Sequence, residues 1–291
     1  MSDALTIHAH AKANLLLRVL AREASGYHQI ETLFTLLELH DTLTVERTAG
    51  GIELTVTGGD TGPTDANLAY RAARMVLDAT GGRFGVRMHL EKRIPVGGGL
   101  GGGSSNGAAA LHAVNRLANG AVPQHEILQF AARLGADVPF LASGRSFALA
   151  WGRGERLMAL PAPPLAPVLL LVPPFGINTA VAYQQLDAGR SANQWLRGSI
   201  VLETEAMTTW GGIGRLGGND FESPVFGKEP GLRALFERLA ETRPLLARMS
   251  GSGSALIAVY KGERERDGAA EEVGEREARL IKTTTRREAT A

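Results

Sequence analysis

The spacing of apolar residues changes period several times along the chain, and those changes predict the elements. Leu5 to Leu20 reads as a strand with a bend, then a second apolar strand, with Lys12 inside the apolar run. Ala21 to Tyr27 is a polar turn segment containing Gly26. Phe34 to Arg47 alternates as a strand, and Ile52 to Thr57 is expected to pair with it through a Gly50-Gly51 turn. From Asn67 to Thr80 the period becomes helical: Leu68, Ala72, Met75, Val76 and Ala79 share one face. Asn67 suits the N-cap of that helix, and Gly81-Gly82 ends it. Val86 to Ile94 is a strand cut by Pro95; Ser104 to Leu117 and Gln124 to Leu134 are helices; Ser146 to Ala150 is a strand.

Leu160 to Pro167 is the densest proline cluster and the expected domain boundary, dividing the chain into residues 1–159 and 160–291. Beyond it, Val168 to Val172 has the length of a buried strand, Thr179 to Leu186 and Leu232 to Thr242 are helical, and Arg248 to Ser254 is a glycine turn. Ala255 to Tyr260 is the strand after that turn. Glu271 to Ile281 reads as a solvated surface helix before a frayed tail. Strands and helices mix, with hairpin-like strand pairs, so the expected fold class is α+β rather than a doubly wound parallel sheet.

Composition narrows the function. The 291 residues include 36 glycines without a three-residue period and no cysteine, which excludes collagen, disulfide scaffolds and thiol chemistry. The net charge of +1 gives no bulk electrostatic reason to expect nucleic acid or a membrane as partner. No apolar run reaches spanning length, and the N-terminus has no signal-peptide pattern, so a soluble, cytoplasmic protein is expected. Lysines are few beside arginines, which draws attention to Lys12 in its apolar strand; taken alone, it reads more readily as an edge-strand solubilising residue. His8 and His10 read as strand surface residues.

The strongest local feature is Pro95-Val-Gly-Gly-Gly-Leu-Gly-Gly-Gly-Ser-Ser-Asn106, between an apolar strand and an amphipathic helix. Six glycines in such a run are expensive in backbone entropy, so backbone must approach something closely. Free amide N–H groups at a helix N-terminus suit phosphate. No lysine follows the glycines, which excludes a P-loop. The spacing Gly97-x-Gly99-x-x-Gly102 also matches the dinucleotide fingerprint, but that fingerprint belongs after a first strand, and here several strands come first.

The run resembles the ATP-binding loop of the GHMP kinases, which include galactokinase, homoserine kinase and mevalonate kinase. Five other segments, in order, are similar to one branch of that family: Ala11-Lys12-Ala13-Asn14-Leu15; Gly26-Tyr27-His28 followed by Thr32-Leu33-Phe34; Gly135-Ala136-Asp137-Val138-Pro139-Phe140; Asn219-Asp220-Phe221-Glu222; and Ser250 to Ser254. The resemblance spans roughly residues 9 to 260. It implies a two-domain α+β fold, with an N-terminal domain like domain 2 of ribosomal protein S5, a C-terminal α+β domain, and the active site between them. It further implies ATP with Mg2+, and a small-molecule substrate, a cytidine diphosphate-linked methylerythritol.

The site residues follow from the same resemblance. Pro95, Gly97, Gly98, Gly99, Leu100, Gly101, Gly102, Gly103, Ser104 and Ser105 would hold the triphosphate, with Ser104 or Ser105 reaching the metal ion. Asn67 would lie near the adenine, and a plain N-cap is an equal reading. Asp137 would be the catalytic base, with Lys12 beside it and the reacting hydroxyl; locally, Asp137 is just as well a turn or cap residue. Asn14 would contact substrate or hold Lys12. Tyr27, His28 and Tyr183 would hold the cytosine, although Tyr183 also suits a helix core. Gly251 and Ser252 would lie against substrate. Two alternatives stay open: a homoserine- or mevalonate-type kinase of the same family, and a nucleotide-binding regulator without catalysis.

Overall fold

The computed structural model describes residues 4–190 and 203–287. Of the motif-poor run from Asp187 to Gly218, residues 191–202 therefore lie outside the described residues, as does the end of the charged tail.

Two long strands, β1 (Ala4–Arg22) and β2 (His28–Thr48), pair antiparallel from end to end and form the spine of the first sheet. The other edge of β2 is shared. Its first part pairs with β5 (Phe147–Gly152), which carries β6 (Arg156–Ala159); its second part pairs with β4 (Gly85–Glu91). The segment from Leu5 to Leu20 is thus one continuous strand whose bend is taken up by bulges, the first between His10 and Lys12. That bulge re-aims the strand, as bulges do. Ile7 and Ala9 join the core beneath α1 (Leu68–Ala79) and α2 (Gly102–Leu117), whereas Ala11, Ala13 and Leu15 join a second core shared with the C-terminal half.

Strand β3 (Ile52–Thr57) does not form the expected hairpin with β2. It pairs in parallel with β4, which lies between β3 and β2. The Gly50-Gly51 turn makes room for that insertion: the Val86 amide donates to the Gly51 carbonyl at 2.9 Å, and a Cβ on Gly85 would meet the Gly50 carbonyl carbon at 2.2 Å. The short connection skips one strand position, so β3 runs antiparallel to β2 but one place over, and α1 returns the chain through β4 in between.

Helices α3 (Gln124–Leu134) and α4 (Val138–Ala142) pack on α2. The second sheet has the order β10-β7-β9-β8, with β7 (Pro167–Val172), β8 (Leu246–Met249), β9 (Leu256–Val259) and β10 (Arg279–Thr284) all antiparallel to their neighbours. Helices α5 (Thr179–Gly189), α6 (Trp210–Arg215), α7 (Glu222–Lys228), α8 (Pro230–Glu241) and α9 (Glu263–Val273) complete this half. The expected helix from Glu271 to Ile281 is corrected here. The helix lies earlier, as α9; Gly274 at φ 70° stops it, and the supposed tail becomes β10. Fully buried Val168 to Leu171 explains the difference, since β7 needs a strand on both edges and finds β9 on one and β10 on the other. Among the described residues, no helix is long and apolar enough to cross a membrane.

Candidate active site

The glycine run forms the N-terminus of the 16-residue α2, with left-handed Gly101 (φ 69°) at the cap position. The first-turn N–H groups of such a helix have no intrahelical acceptor and sit at its positive end. The loop is fixed from both sides. Leu100 is buried, its carbonyl accepts from the Lys12 amide at 3.0 Å, and the Gly98 carbonyl accepts from the Ala255 amide at 3.1 Å. The Ser250 hydroxyl donates to the Gly99 carbonyl at 2.9 Å. Gly97, Gly99 and Gly101 all have φ between 69° and 77°, where a side chain is strained.

Two of these glycines are also required by neighbours. A Cβ on Gly99 would meet the Ser250 carbonyl oxygen at 2.1 Å, and one on Gly101 would meet the Lys12 Cγ at 2.7 Å. Gly103 has nothing within 4 Å of its Cβ position and an ordinary φ. Gly101→Ala is therefore expected to lower kcat and weaken ATP together, while Gly103→Ala keeps kcat close to wild type; steady-state kinetics on both variants checks this.

The loop closes a cleft of about 200 Å³ whose walls include Thr61, Asn67, Leu68, Lys92, Pro95 and Asn106. Asn67 is the N-cap of α1, its Oδ1 accepting from the Ala69 amide at 2.9 Å, and it also lines the cleft. Ser105 does not face the cleft. It is buried, and its hydroxyl donates to the His10 carbonyl at 2.7 Å, tying α2 to β1. It is thereby removed from the candidate phosphate and metal contacts, leaving Ser104, which is only partly buried.

At the inner end of the loop, buried Lys12 reaches the carboxylate of half-exposed Asp137 at 3.0 Å. Its Nζ also donates to Asn14 Oδ1 at 2.6 Å and lies 5.3 Å from the Phe34 ring centroid. Asn14 Nδ2 donates to Thr32 Oγ1 at 2.7 Å, and that hydroxyl donates to the Leu16 carbonyl, so Lys12 is held by a chain of fixed groups. Gly251 approaches the same place, its Cβ position 3.6 Å from Asn14 Oδ1. Asp137 precedes α4 at the N-cap position without making a side-chain cap bond. Its carboxylate thus faces Lys12 rather than its own helix.

Beneath the cleft lies a network the sequence did not reveal. Fully buried Asp41 accepts from Lys92 Nζ, from Asn106 Nδ2 at 2.8 Å, and from the Arg93 and Ile94 amides at 2.7 and 2.8 Å. Lys92 Nζ also donates to Asn106 Oδ1 at 3.1 Å. The scarcity of lysine was the available signal, since Lys92 ends the strand just before the glycine run.

The residues assigned to the cytosine are only partly assembled. The His28 and Tyr183 rings stack on each other, centroids 4.4 Å apart, leaving no space for a base between them. His28 Nε2 lies 2.7 Å from Asp187 Oδ1. Burial, with Asp137 and Asp187 adding to it, pushes the Tyr183 hydroxyl up to about 12, so it stays protonated at neutral pH. Tyr27 is 59% exposed and carries the Arg153 guanidinium 4.0 Å from its ring centroid. Ser252 Oγ lies 2.9 Å from Thr179 Oγ1, and the Gly251 carbonyl accepts from Asn219 Nδ2 at 2.6 Å, so the second glycine turn is braced by α5 and by Asn219.

A protein from Solibacter usitatus, 4-diphosphocytidyl-2-C-methyl-D-erythritol kinase, is 39% identical over 286 residues, covering 93% of this chain and 87% of its own length. The family models for the GHMP kinases N terminal domain and the GHMP kinases C terminal match residues 67–145 and 204–278. The chain belongs to the GHMP kinases. A solved 4-(cytidine 5'-diphospho)-2C-methyl-D-erythritol kinase superposes with a TM-score of 0.82 at 36% identity, covering 97% of this GHMP kinase and 99% of that chain. A homoserine kinase from Cytophaga hutchinsonii superposes at 0.75 with 19% identity, which speaks for the fold alone. The expected α+β architecture of a GHMP kinase, two sheets with helices packed on them, is thus what this sequence forms.

Proposed function

We propose that this GHMP kinase transfers the γ-phosphoryl group of ATP to the 2-hydroxyl of 4-diphosphocytidyl-2-C-methyl-D-erythritol, a step of the non-mevalonate route to isoprenoids. The observation that carries the reading is the 3.0 Å Lys12–Asp137 pair set against the glycine-loop end of α2. Phosphoryl transfer needs positioning and charge stabilisation more than covalent help from the protein. The substrate hydroxyl oxygen bonds to the γ-phosphorus as the bond to the β-phosphate oxygen breaks and ADP leaves. Asp137 takes the hydroxyl proton. Lys12, held by Asn14, orients Asp137 and sets positive charge beside the transferring group. The α2 N–H groups face the phosphates.

Magnesium, when bound with ATP, neutralises phosphate charge. The donor set near the loop suits an ion held chiefly by phosphate oxygens and water, with the Ser104 hydroxyl as the protein contact. The chain is proposed to divide at residues 159 and 160, where the proline-rich connection links the two sheets.

The test is an ADP-release assay with magnesium, ATP and, in separate runs, the cytidyl substrate, homoserine and mevalonate. Turnover with the cytidyl substrate alone is expected. Turnover only with homoserine or mevalonate would assign another GHMP specificity, and ATP binding without turnover would favour a regulator. Tyr27→Ala is expected to raise the KM for the cytidyl substrate about 5- to 150-fold, the equivalent of roughly 1–3 kcal/mol per stacked base, with little change in the KM for ATP. Equal effects on both constants would remove Tyr27 from the base site.

A further inference from the structure

On the β1–β2 ribbon, before the bulge that re-aims Lys12, three imidazoles converge. His8 and His10 stand two residues apart on β1, so they share a face. His40 lies directly opposite His10 on β2. One ring nitrogen from each lies within 4.8 Å of the others. The His8 and His40 rings are stacked at 4.2 Å, and the His10 and His40 centroids are 5.1 Å apart. We propose that His8, His10 and His40 bind a zinc-type divalent cation.

The hydrogen bonds behind the rings support this. His10 Nδ1 lies 3.0 Å from the Leu37 carbonyl, and His40 Nδ1 lies 2.7 Å from the Glu38 carbonyl. A carbonyl oxygen can only accept, so in both residues Nδ1 carries the proton and Nε2 presents its lone pair. That is how outer-shell partners fix the tautomer and orientation of metal-binding imidazoles. Three nitrogen donors and an open position suit Zn2+, and imidazole favours zinc, nickel and copper over magnesium. Zinc–nitrogen bonds of about 2.0–2.1 Å at tetrahedral angles place donors about 3.3 Å apart. The cluster must therefore tighten by roughly 1.5 Å at most, and exposed His8 is the residue with room to rotate.

The charges facing the cluster do not oppose this strongly. Arg286 is engaged by both oxygens of Glu38 at 2.9 Å, and Arg93 lies 3.5 Å from Glu91. The site is separate from the Lys12–Asp137 pair. It adjoins the glycine-loop helix, where the His10 carbonyl holds Ser105 and where His8 and His10 line a small cavity with Ala108, Ala109 and His112.

Calorimetric titration of the full-length chain with ZnCl2, in excess Mg2+, tests the assignment. One equivalent is expected to bind and not be displaced by magnesium. His8→Ala and His40→Gln should each weaken it by about 100-fold or more, since loss of even an outer-shell partner costs roughly 10–100-fold. His125→Ala, at an exposed imidazole elsewhere, should bind as wild type does. Zinc should raise the Tm of the wild type and not of His8→Ala. Absence of stoichiometric binding, displacement by magnesium, or unchanged affinity in His8→Ala would overturn the proposal. Because His8 is exposed, that variant folds whether or not a metal binds.

Discussion

Asp137→Asn is expected to lower kcat by about 10²–10⁴-fold, the usual range for a positioned proton acceptor, while the Kd of ATP stays nearly unchanged. The exchange keeps the shape of the side chain and removes its capacity to take a proton, together with the negative charge that faces Lys12. The fold gives it little other reason to matter. Asp137 makes no side-chain cap bond to α4, and its ion-pair partner among the described residues, Lys12, loses its counter-charge but keeps Asn14 as an acceptor, with the partly exposed position of the carboxylate limiting the cost. Stability should therefore fall far less than turnover. The proposed ATP contacts lie along the glycine loop, in a cleft that Asp137 does not line, so nucleotide affinity reports whether the cleft is intact. Wild-type kcat in Asp137→Asn would remove it from the mechanism. A loss of kcat with an equal loss of ATP affinity would mean the carboxylate is structural.

The glycine loop was legible because its residue choice is costly and local. Gly97, Gly99 and Gly101 need positive φ, and nothing beyond the neighbouring residues is required to see that something demands it. The strand and helix periods around it were legible for the same reason, as was the Asn67 cap. What failed depended on partners far along the chain. Nothing local in Ile52 to Thr57 says that β4, from residue 85 onward, will slide between it and β2. The charged residues around Arg279 do not announce a strand, because the demand comes from the open edge of β7. Ser105 looks like a phosphate ligand by position, yet one helical step turns its hydroxyl onto the His10 carbonyl.

Within the candidate site the same division holds. Lys12 and Asp137 are 125 positions apart, and only the family resemblance paired them before the 3.0 Å contact did. The direction of Lys12 depends on the bulge after His10, which an apolar run does not encode visibly. Gly107 lies inside α2, where alanine would favour the helix more. Its Cβ position lies 3.2 Å from the Leu68 Cβ, so it is where α1 and α2 approach closely at the wall of the cleft.

Lys92→Met is expected to destabilise the protein by about 3–5 kcal/mol, the cost of breaking a buried ion pair by removing one partner. The Asp41 carboxylate is wholly inaccessible and the Lys92 side chain only 3% exposed. Without the lysine, the carboxylate keeps the Asn106 side chain and two backbone amides, which orient it but do not neutralise its charge. Low surrounding polarity then penalises the ionised form. The pair itself need not be strongly stabilising compared with apolar residues of the same size, because both charges were desolvated to make it. The double variant Asp41→Asn, Lys92→Met separates these terms. Removing both charges should cost clearly less than the sum of the single changes, as expected for coupled neighbours. Denaturant midpoints at constant m-value read all three. The network also carries the Arg93–Ile94 backbone into the glycine loop and presents Lys92 to the cleft wall, so the single variant should weaken ATP as well. A Lys92→Met protein within about 0.5 kcal/mol of wild type, where ordinary surface substitutions fall, would show that Asp41 is not held as a buried charge.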